Sequence, residues 1–513
     1  MRKLQTVFTA SIAALALVFG LGVSSPAAAG VVDGSVPPNG AIRTTSVGMQ
    51  MFMWPWRSLA TECTDHLGPA GVDWIWVSPP QEHVQGGSWW VHYQPVSYKL
   101  ESNLGTREEF ITMVHACNLA GVRVVVDAVI NHMANSSGTG FDGTTFSKYN
   151  YPGLYSASDF HATNAADDPT HCTQSISNYN DSWQNVNCEL GGLPDLATEK
   201  PEVQAKIVAY LTDLLNIGVY GFRIDAAKHI GATSLREIQV QLPRRNFNYP
   251  WFAAEVIGGK TENTPFLNSS DVWIWDWPSD MSRLFADGAS SIATNFTYRY
   301  DPLTPSNQSI TFVTNHDTEH NGQTSLTYRD GKEWELAQLF TLADPFGKPM
   351  LYSGYAFTYN NQGPLLRMDE RSMDASCSDS DKVINKNYAS GTYICTERLT
   401  SIQGMIAWKD QVGTAAVTGA KLSAKKQMIR FNRGTGFMLI NNGDKKRYWT
   451  VATGLPAGTY CDRVTGGKSP VTDAKTCVGK TVVVKQNKAR IWLAPKTALA
   501  LDAASEVNYV PVG

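Results

Sequence analysis

Short, almost wholly apolar runs recur along the chain. Most are separated by stretches in which apolar residues return every three or four positions. Runs of the first kind read as strands covered on both faces, and stretches of the second kind as amphipathic helices. Strands are predicted at 46–52, 72–77 (VDWIWV), 122–130 (VRVVVDAVI) and 220–225. Four more follow at 251–256, 271–275, 310–313 and 349–352. Helices are predicted at 59–67, with Ser58 as a possible cap, and at 107–119. Thr106 and Glu109 form a capping-box pattern before the second of these, and Gly121 stops it. A helix at 200–217 carries Val203, Ile207, Leu211 and Leu214 at helical spacing. A short helix is capped by Ser234 and Glu237, and another helix spans 332–343.

Eight strand candidates, mostly separated by helices, predict a closed parallel (β/α)8 TIM barrel. A doubly wound open sheet fits less well, because no G-x-G-x-x-G follows the first strand. The alternation stops at 131–198, which is rich in Asn, Ser, Gly, Asp and Tyr, and an inserted small domain is expected there. After about residue 407 the pattern becomes short strands (428–431, 436–440, 448–452, 481–485) with Gly and Asn turns. This predicts an antiparallel β domain of Greek-key type. The domain plan is therefore a leader at 1–29 and a barrel at 30–130 and 199–407. The insert lies at 131–198, the C-terminal β domain at 408–497 and a tail at 498–513.

The leader has Arg2 and Lys3, an apolar stretch from 7 to 23 and the small residues Ala27 to Ala29. That is a secretory signal peptide, so an extracellular protein is expected. No other stretch is long and apolar enough to span a bilayer. Secretion makes the eight cysteines disulfide candidates: Cys63, Cys117, Cys172, Cys188, Cys377, Cys395, Cys461 and Cys477. Pairing of sequence neighbours leaves no odd thiol, although sequence does not fix the connectivity. A net charge of −3 gives no reason to expect nucleic acid or an anionic membrane as partner. Fifteen tryptophans suit either sugar stacking or a large core.

The chemistry gathers where barrel strands end. Asp127, Asn131 and His132 follow the third strand. Arg223, Asp225, Lys228 and His229 (GFRIDAAKH, 221–229) follow the fourth, Glu255 the fifth, and Asn315, His316 and Asp317 the seventh. Residues two apart on a strand face the same way, so Arg223 neighbours Asp225 and favours its ionised form, as a nucleophile requires. Three carboxylates at one barrel mouth would repel each other and need a reason to be there. Two carboxylates flanking a glycosidic bond are the equipment for its hydrolysis. Asp225 suits the nucleophile. Glu255, after Ala253 and Ala254, suits a general acid with a raised pKa.

The motifs AVINH (128–132), LPDL (193–196), GFRIDAAKH, Glu255-Val-Ile and FVTNHD (312–317) occur together and in this order. They resemble the α-amylases of the glycoside hydrolase α-amylase clan, most closely the animal and actinomycete type. The resemblance runs from about residue 44 to about 495. It implies a retaining, endo-acting hydrolase of α-1,4-glucosidic bonds in starch and glycogen, acting as a monomer. Asp225 then matches the nucleophile, Glu255 the acid/base, Asp317 the transition-state stabiliser and Arg223 the residue that orients the nucleophile. Trp89, Trp90, Tyr93, Gln94, His132, Lys228, His229 and His316 match substrate-binding positions. A structural Ca²⁺ is implied, with Asn131 and Asp195 as side-chain ligands and Val186 and His229 giving backbone carbonyls. Arg223 and Asn315 match two chloride ligands of chloride-activated members. Met350 stands at the third, usually basic, position, which speaks against chloride activation. TEHNGQTSLTY (318–328) also departs from the usual loop. LPDL and Lys228-His229 argue against an α-1,6-cleaving or transglycosylating relative. The three carboxylates argue against a non-catalytic sugar-binding homologue.

Overall fold

A computed structural model describes residues 46–161, 172, 175–245, 248–258, 260–286, 289, 304–377, 384, 386–468 and 475–508. The leader lies outside these residues. Among the described residues, no helix is long and apolar enough to cross a membrane.

Eight parallel strands close into a barrel: β1 (Gly48–Met51), β2 (Trp74–Val77), β3 (Arg123–Ala128), β4 (Gly221–Ile224), β5 (Trp251–Ala254), β6 (Asp271–Trp273), β7 (Ser309–Phe312) and β8 (Lys348–Ser353). Closure is made by β1, which pairs with β2 through Gly48 and Trp74 and with β8 through Gly48 and Met350. All eight correspond to the runs predicted from sequence. Their inward positions form a core of Trp74, Trp76, Val125, Trp251, Trp273, Phe312 and Met350. So many indoles in one barrel need small neighbours. A Cβ on Gly48 would lie 2.1 Å from the Trp74 ring, and one on Gly221 2.3 Å from the Trp251 carbonyl. Below this layer Lys348 forms a buried ion pair with Asp271, which also accepts from Trp251 Nε1 at 2.7 Å.

The outer helices follow sequence logic with two exceptions. In α2 (Arg107–Leu119) the capping box forms, Thr106 N donating to Glu109 Oε2 at 2.9 Å. In α3 (Pro201–Ile217) Val203, Ile207, Leu211 and Leu214 are all buried, each contributing about 2 kcal/mol of apolar burial. The helix expected at 59–67 instead begins as α1 (Trp56–Glu62) after Pro55 and runs on through a wider π-type turn at Cys63–Leu67. Ser58 therefore lies inside it, and its Oγ accepts from Ala375 N at 3.0 Å. Likewise α4 (Ala232–Gln241) starts after Gly231, so Ser234 is a buried interior residue and not a cap. Helices α5 (Asp276–Ala286) and α6 (Lys332–Ala343) complete this set.

Residues between β3 and α3 leave the barrel as an excursion with a two-stranded ribbon and the helix Ser182–Asn187. Bridges from His132 to Asp195 and from Phe160 to Leu196 draw the outgoing and returning parts of the excursion together. The four cysteine pairs are Cys63–Cys117, Cys172–Cys188, Cys377–Cys395 and Cys461–Cys477, the sequence-neighbour pairing.

The C-terminal region is antiparallel. It comprises β9 (Val417–Leu422), β10 (Met428–Arg433), β11 (Gly436–Asn441), β12 (Arg447–Ala452), β13 (Gly458–Cys461), β14 (Thr481–Val484), β15 (Lys488–Leu493) and β16 (Thr497–Asp502). One sheet has the order β9-β10-β11-β16, and two ribbons pair β12 with β15 and β13 with β14. Two boundaries differ from expectation. The residues from 498 onward do not start a tail: β16 pairs along the whole of β11, and Leu499 and Leu501 are fully buried. The break at 407/408 falls inside α7 (Thr400–Val412), where Trp408 Nε1 donates to the Leu501 carbonyl at 2.9 Å. That helix belongs to both packing units.

Candidate active site

The strand ends bring the predicted carboxylates onto one guanidinium. Arg223 points inward from β4 and is 1% exposed. Its Nη1 donates to Asp127 Oδ1 at 2.7 Å and to Asp225 Oδ1 at 2.6 Å, and its Nη2 donates to Glu255 Oε1. The Trp76 ring lies beneath, with the guanidinium carbon 4.9 Å from its centroid. Asp127 is locked from the other side by Tyr93, whose hydroxyl donates to Oδ2 at 2.8 Å. After Asp225 the chain turns sharply through Ala226, which is in the left-handed region (φ 49°). That turn aims the Ala226 N–H at Glu255 Oε2, 2.9 Å away. Asp317 sits in the first turn of a short helix after β7, whose cap is Asn315 Oδ1 accepting from Thr318 N at 2.8 Å.

Burial dominates the electrostatics. It pushes Glu255 up to about 8; Arg223 opposes that rise, and Asp225 and Asp317 add to it. Asp317 rises to about 6 and Asp127 to about 7 for the same first reason, again with Arg223 opposing. A carboxyl acid that keeps its proton near neutrality can donate it. His316 is held neutral, because burial pushes its pKa well down and Arg223 adds to this. Its ring stacks on Tyr93 (5.2 Å, 7°) and Phe52 (4.9 Å, 23°). Gln50 Nε2 lies 2.9 Å from Nδ1, leaving Nε2 to face Asp317 Oδ2 at 3.5 Å.

A cleft of about 400 Å³ opens over this cluster. Of the residues matched from sequence, Trp89, Trp90, Tyr93, His132, Asp225, Lys228, His229, Glu255, His316 and Asp317 line it. Two do not. Gln94 turns away and accepts from Asn135 N at 3.3 Å, holding the start of the excursion. Arg223 lies under the carboxylates and hydrogen-bonds three of them. His132 lines the cleft, but both its ring nitrogens are engaged by protein, Nε2 with the Tyr93 carbonyl at 3.0 Å and Nδ1 with Asn131 Nδ2 at 3.4 Å. Tyr179, Leu190, Leu193 and Ile257 also line the cleft and were not found from sequence. They lie on segments with no periodic pattern; Leu193 opens the LPDL motif, but the motif did not mark it as a cleft residue. Gln50 was missed because it sits inside a strand that read as structural.

The residues matched to a Ca²⁺ site suit a hard cation. Asn131 Oδ1 is buried without a hydrogen-bond partner. Asn131 Nδ2 donates to Asp195 Oδ1 at 3.3 Å, and Asp195 is 1% exposed. Burial pushes Asp195 up to about 7, opposed by His161, whose Nδ1 lies 2.6 Å from Oδ2. His229 Nδ1 lies 2.9 Å from the Asn185 carbonyl, and the methyls of Val186 face Gly231, so these segments meet. An orphaned carbonyl oxygen beside a buried carboxylate is the donor chemistry that calcium takes. Met350, matched from sequence to the third chloride ligand, is fully buried among the barrel indoles.

The chain matches the family model for the α-amylase catalytic domain over residues 61–262 and that for the α-amylase C-terminal all-β domain over 422–504. It is 39% identical to an α-amylase of Streptomyces violaceus, over 96% of this chain and 89% of that one. The crystal structure of wild-type α-amylase I from Eisenia fetida superposes with a TM-score of 0.78 at 27% identity, covering 90% of this chain and 97% of that one. A variant of the same Eisenia fetida enzyme in complex with maltohexaose gives a TM-score of 0.76 at 26% identity, covering 90% and 98%. The barrel with its carboxylate cluster, the all-β C-terminal domain and a relative matched over almost the whole chain agree: this protein belongs to the α-amylase family of glycoside hydrolases.

Proposed function

We propose that this is a secreted, endo-acting α-amylase that cleaves internal α-1,4-glucosidic bonds of starch and glycogen with retention of configuration. The observation that carries the reading is that Arg223 holds Asp225 on one amino group and Glu255 on the other. Two carboxyl groups held on one guanidinium are kept close together, and a short separation is what a nucleophile and an acid/base need. That supports the retaining arrangement over the inverting one.

In the first step the carboxylate of Asp225 attacks the anomeric carbon while Glu255 gives its proton to the departing glycosidic oxygen. In the second, Glu255 takes a proton from water, which releases the glycosyl group from Asp225. Asp317, beside the neutral His316, offers negative charge to the oxocarbenium-like centre. Trp89, Trp90 and Tyr93 give the sugar faces an apolar wall, and Lys228 and His229 lie where the leaving fragment departs. Ca²⁺ would be held by Asn131, Asp195 and the carbonyls of Val186 and His229. Its chemistry there is charge neutralisation and cross-linking of the excursion to the barrel.

The test is hydrolysis of soluble starch and of pullulan by the mature protein, with the anomer of the first products read by NMR. The reading requires a rapid fall in iodine staining, early α-anomer products and little action on pullulan. Early β-anomer products would overturn the mechanism, and preferential pullulan cleavage would overturn the linkage.

A further inference from the structure

Charge is divided unevenly along the chain. Residues 411–513 carry 16 Lys and Arg against 5 Asp and Glu, a surplus of 11 positive charges in a protein of net charge −3. Part of this surplus is internal. Arg433 is buried and donates to the carbonyls of Ala343, Gly413 and Ala415. Arg463 pairs with Asp502, and Lys496 reaches Glu333.

Several of the remaining cations gather on the solvent side of the β12–β15 ribbon. There Tyr448 stands directly opposite Trp492, and Arg490 opposite Thr450. The two rings are 53% and 45% exposed, with centroids 4.6 Å apart. The Arg490 guanidinium lies 4.7 Å from the Tyr448 centroid, and Lys446 Nζ 5.5 Å from the Trp492 ring. Lys480 Nζ donates to the Trp492 carbonyl beside them. Lys488 is exposed on the same face as Arg490. Among the described residues, none of Lys446, Lys480, Lys488 and Arg490 has an acidic side chain within salt-bridge distance. Asp473 lies outside the described residues.

A merely solvated face intersperses charges of both signs and covers its large rings. This one does neither. A neutral glucan needs only aromatic surface, and a sugar-free polyanion needs only cations. The two together fit a sugar chain that bears anionic groups: rings for its C–H surfaces, Arg and Lys for its oxyanions. We propose that this face, apart from the cleft, is a second binding surface for α-glucan chains carrying phosphate esters. The proposal rests on the α-glucan reading of the cleft.

The experiment is adsorption of the intact protein, in the cold, to insoluble α-glucan granules rich or poor in phosphate, at low and high salt. Turnover of a short soluble maltooligosaccharide is measured alongside. Variants are Lys446→Glu combined with Arg490→Glu, and Trp492→Ala, each checked by circular dichroism and melting. The wild type should be retained about tenfold better on phosphate-rich granules, and this preference should fade with salt. Both variants should lose that preference while oligosaccharide turnover stays unchanged. Equal retention on both granules, or a preference that survives charge reversal, overturns the proposal. So does binding to inorganic polyphosphate that Trp492→Ala leaves intact, since this marks a sugar-indifferent polyanion surface. Absence of oligosaccharide turnover in the wild type would count against the cleft reading and would be seen separately.

Discussion

The backbone N–H of Ala226 donates to Glu255 Oε2 at 2.9 Å, from a residue held in the left-handed conformation at φ 49°. The residue after the proposed nucleophile thus fixes the carboxyl of the proposed acid. Arg223 joins the same two carboxylates from below. A left-handed alanine is strained, and strain persists only where the surroundings over-determine it.

Ala226→Gly should therefore relieve strain and raise stability by about 0.5–1 kcal/mol with activity retained. Ala226→Val should do the reverse, because a β-branched side chain resists positive φ. It should destabilise the protein and lower kcat more than KM. Thermal melts and steady-state kinetics of the two variants check this.

Arg223 is buried with three carboxylates on it, so its removal leaves uncompensated charge. Arg223→Met should cost about 3–5 kcal/mol of stability and reduce activity by orders of magnitude. Arg223→Lys should recover part of the stability and little of the activity, because one ammonium cannot hold Asp225 and Glu255 on separate nitrogens. Denaturant melts with kinetics on the same preparations separate the two effects.

Glu255 sets a pH signature. Its folded pKa, raised mainly by burial to about 8 from the ordinary glutamate value of 4.5, makes the acid competent below about 8. The alkaline limb of kcat/KM should fall through that region. The raised folded value also means that stability is fully present below the unfolded pKa and is lost as pH rises toward about 8. Glu255→Gln cannot ionise, so its melting temperature should drop less between pH 5 and pH 9 than that of the wild type. An equal drop in both would show that Glu255 does not carry this term.

Calcium should act as a clamp on the excursion. Chelation should lower the melting temperature, and readdition of Ca²⁺ should restore it. The difference should be about 3–4 kcal/mol at saturating metal. Asp195→Asn should melt low with or without chelator. Indifference of the wild-type melt to both treatments would remove the metal from the account.

The barrel was legible because its strands are buried on both faces. Runs such as 122–130 are almost uninterrupted, and the eight runs form the strands that close the barrel. Asp225 and Glu255 could be named because a strand end in a barrel is a position as well as a sequence. What stayed hidden depends on tertiary placement. Ser58 and Ser234 look like caps, but the chain enters those helices earlier, at Pro55 and Gly231. The last strand, Thr497–Asp502, is built from Ala and Leu after a proline and shows no β-branched alternation, yet it lies beside β11. Gln50 and His161 were silent because their roles come from partners 266 and 34 residues away.

The central claim is that Asp225 is the nucleophile. A slow, fluorinated α-glucosyl substrate should trap the covalent intermediate, and mass spectrometry of the digested protein locates the label. The account predicts one glycosyl adduct per chain on the peptide containing Asp225, absent from Asp225→Asn. An adduct on Glu255 or Asp317, or full inactivation without any adduct, would contradict it.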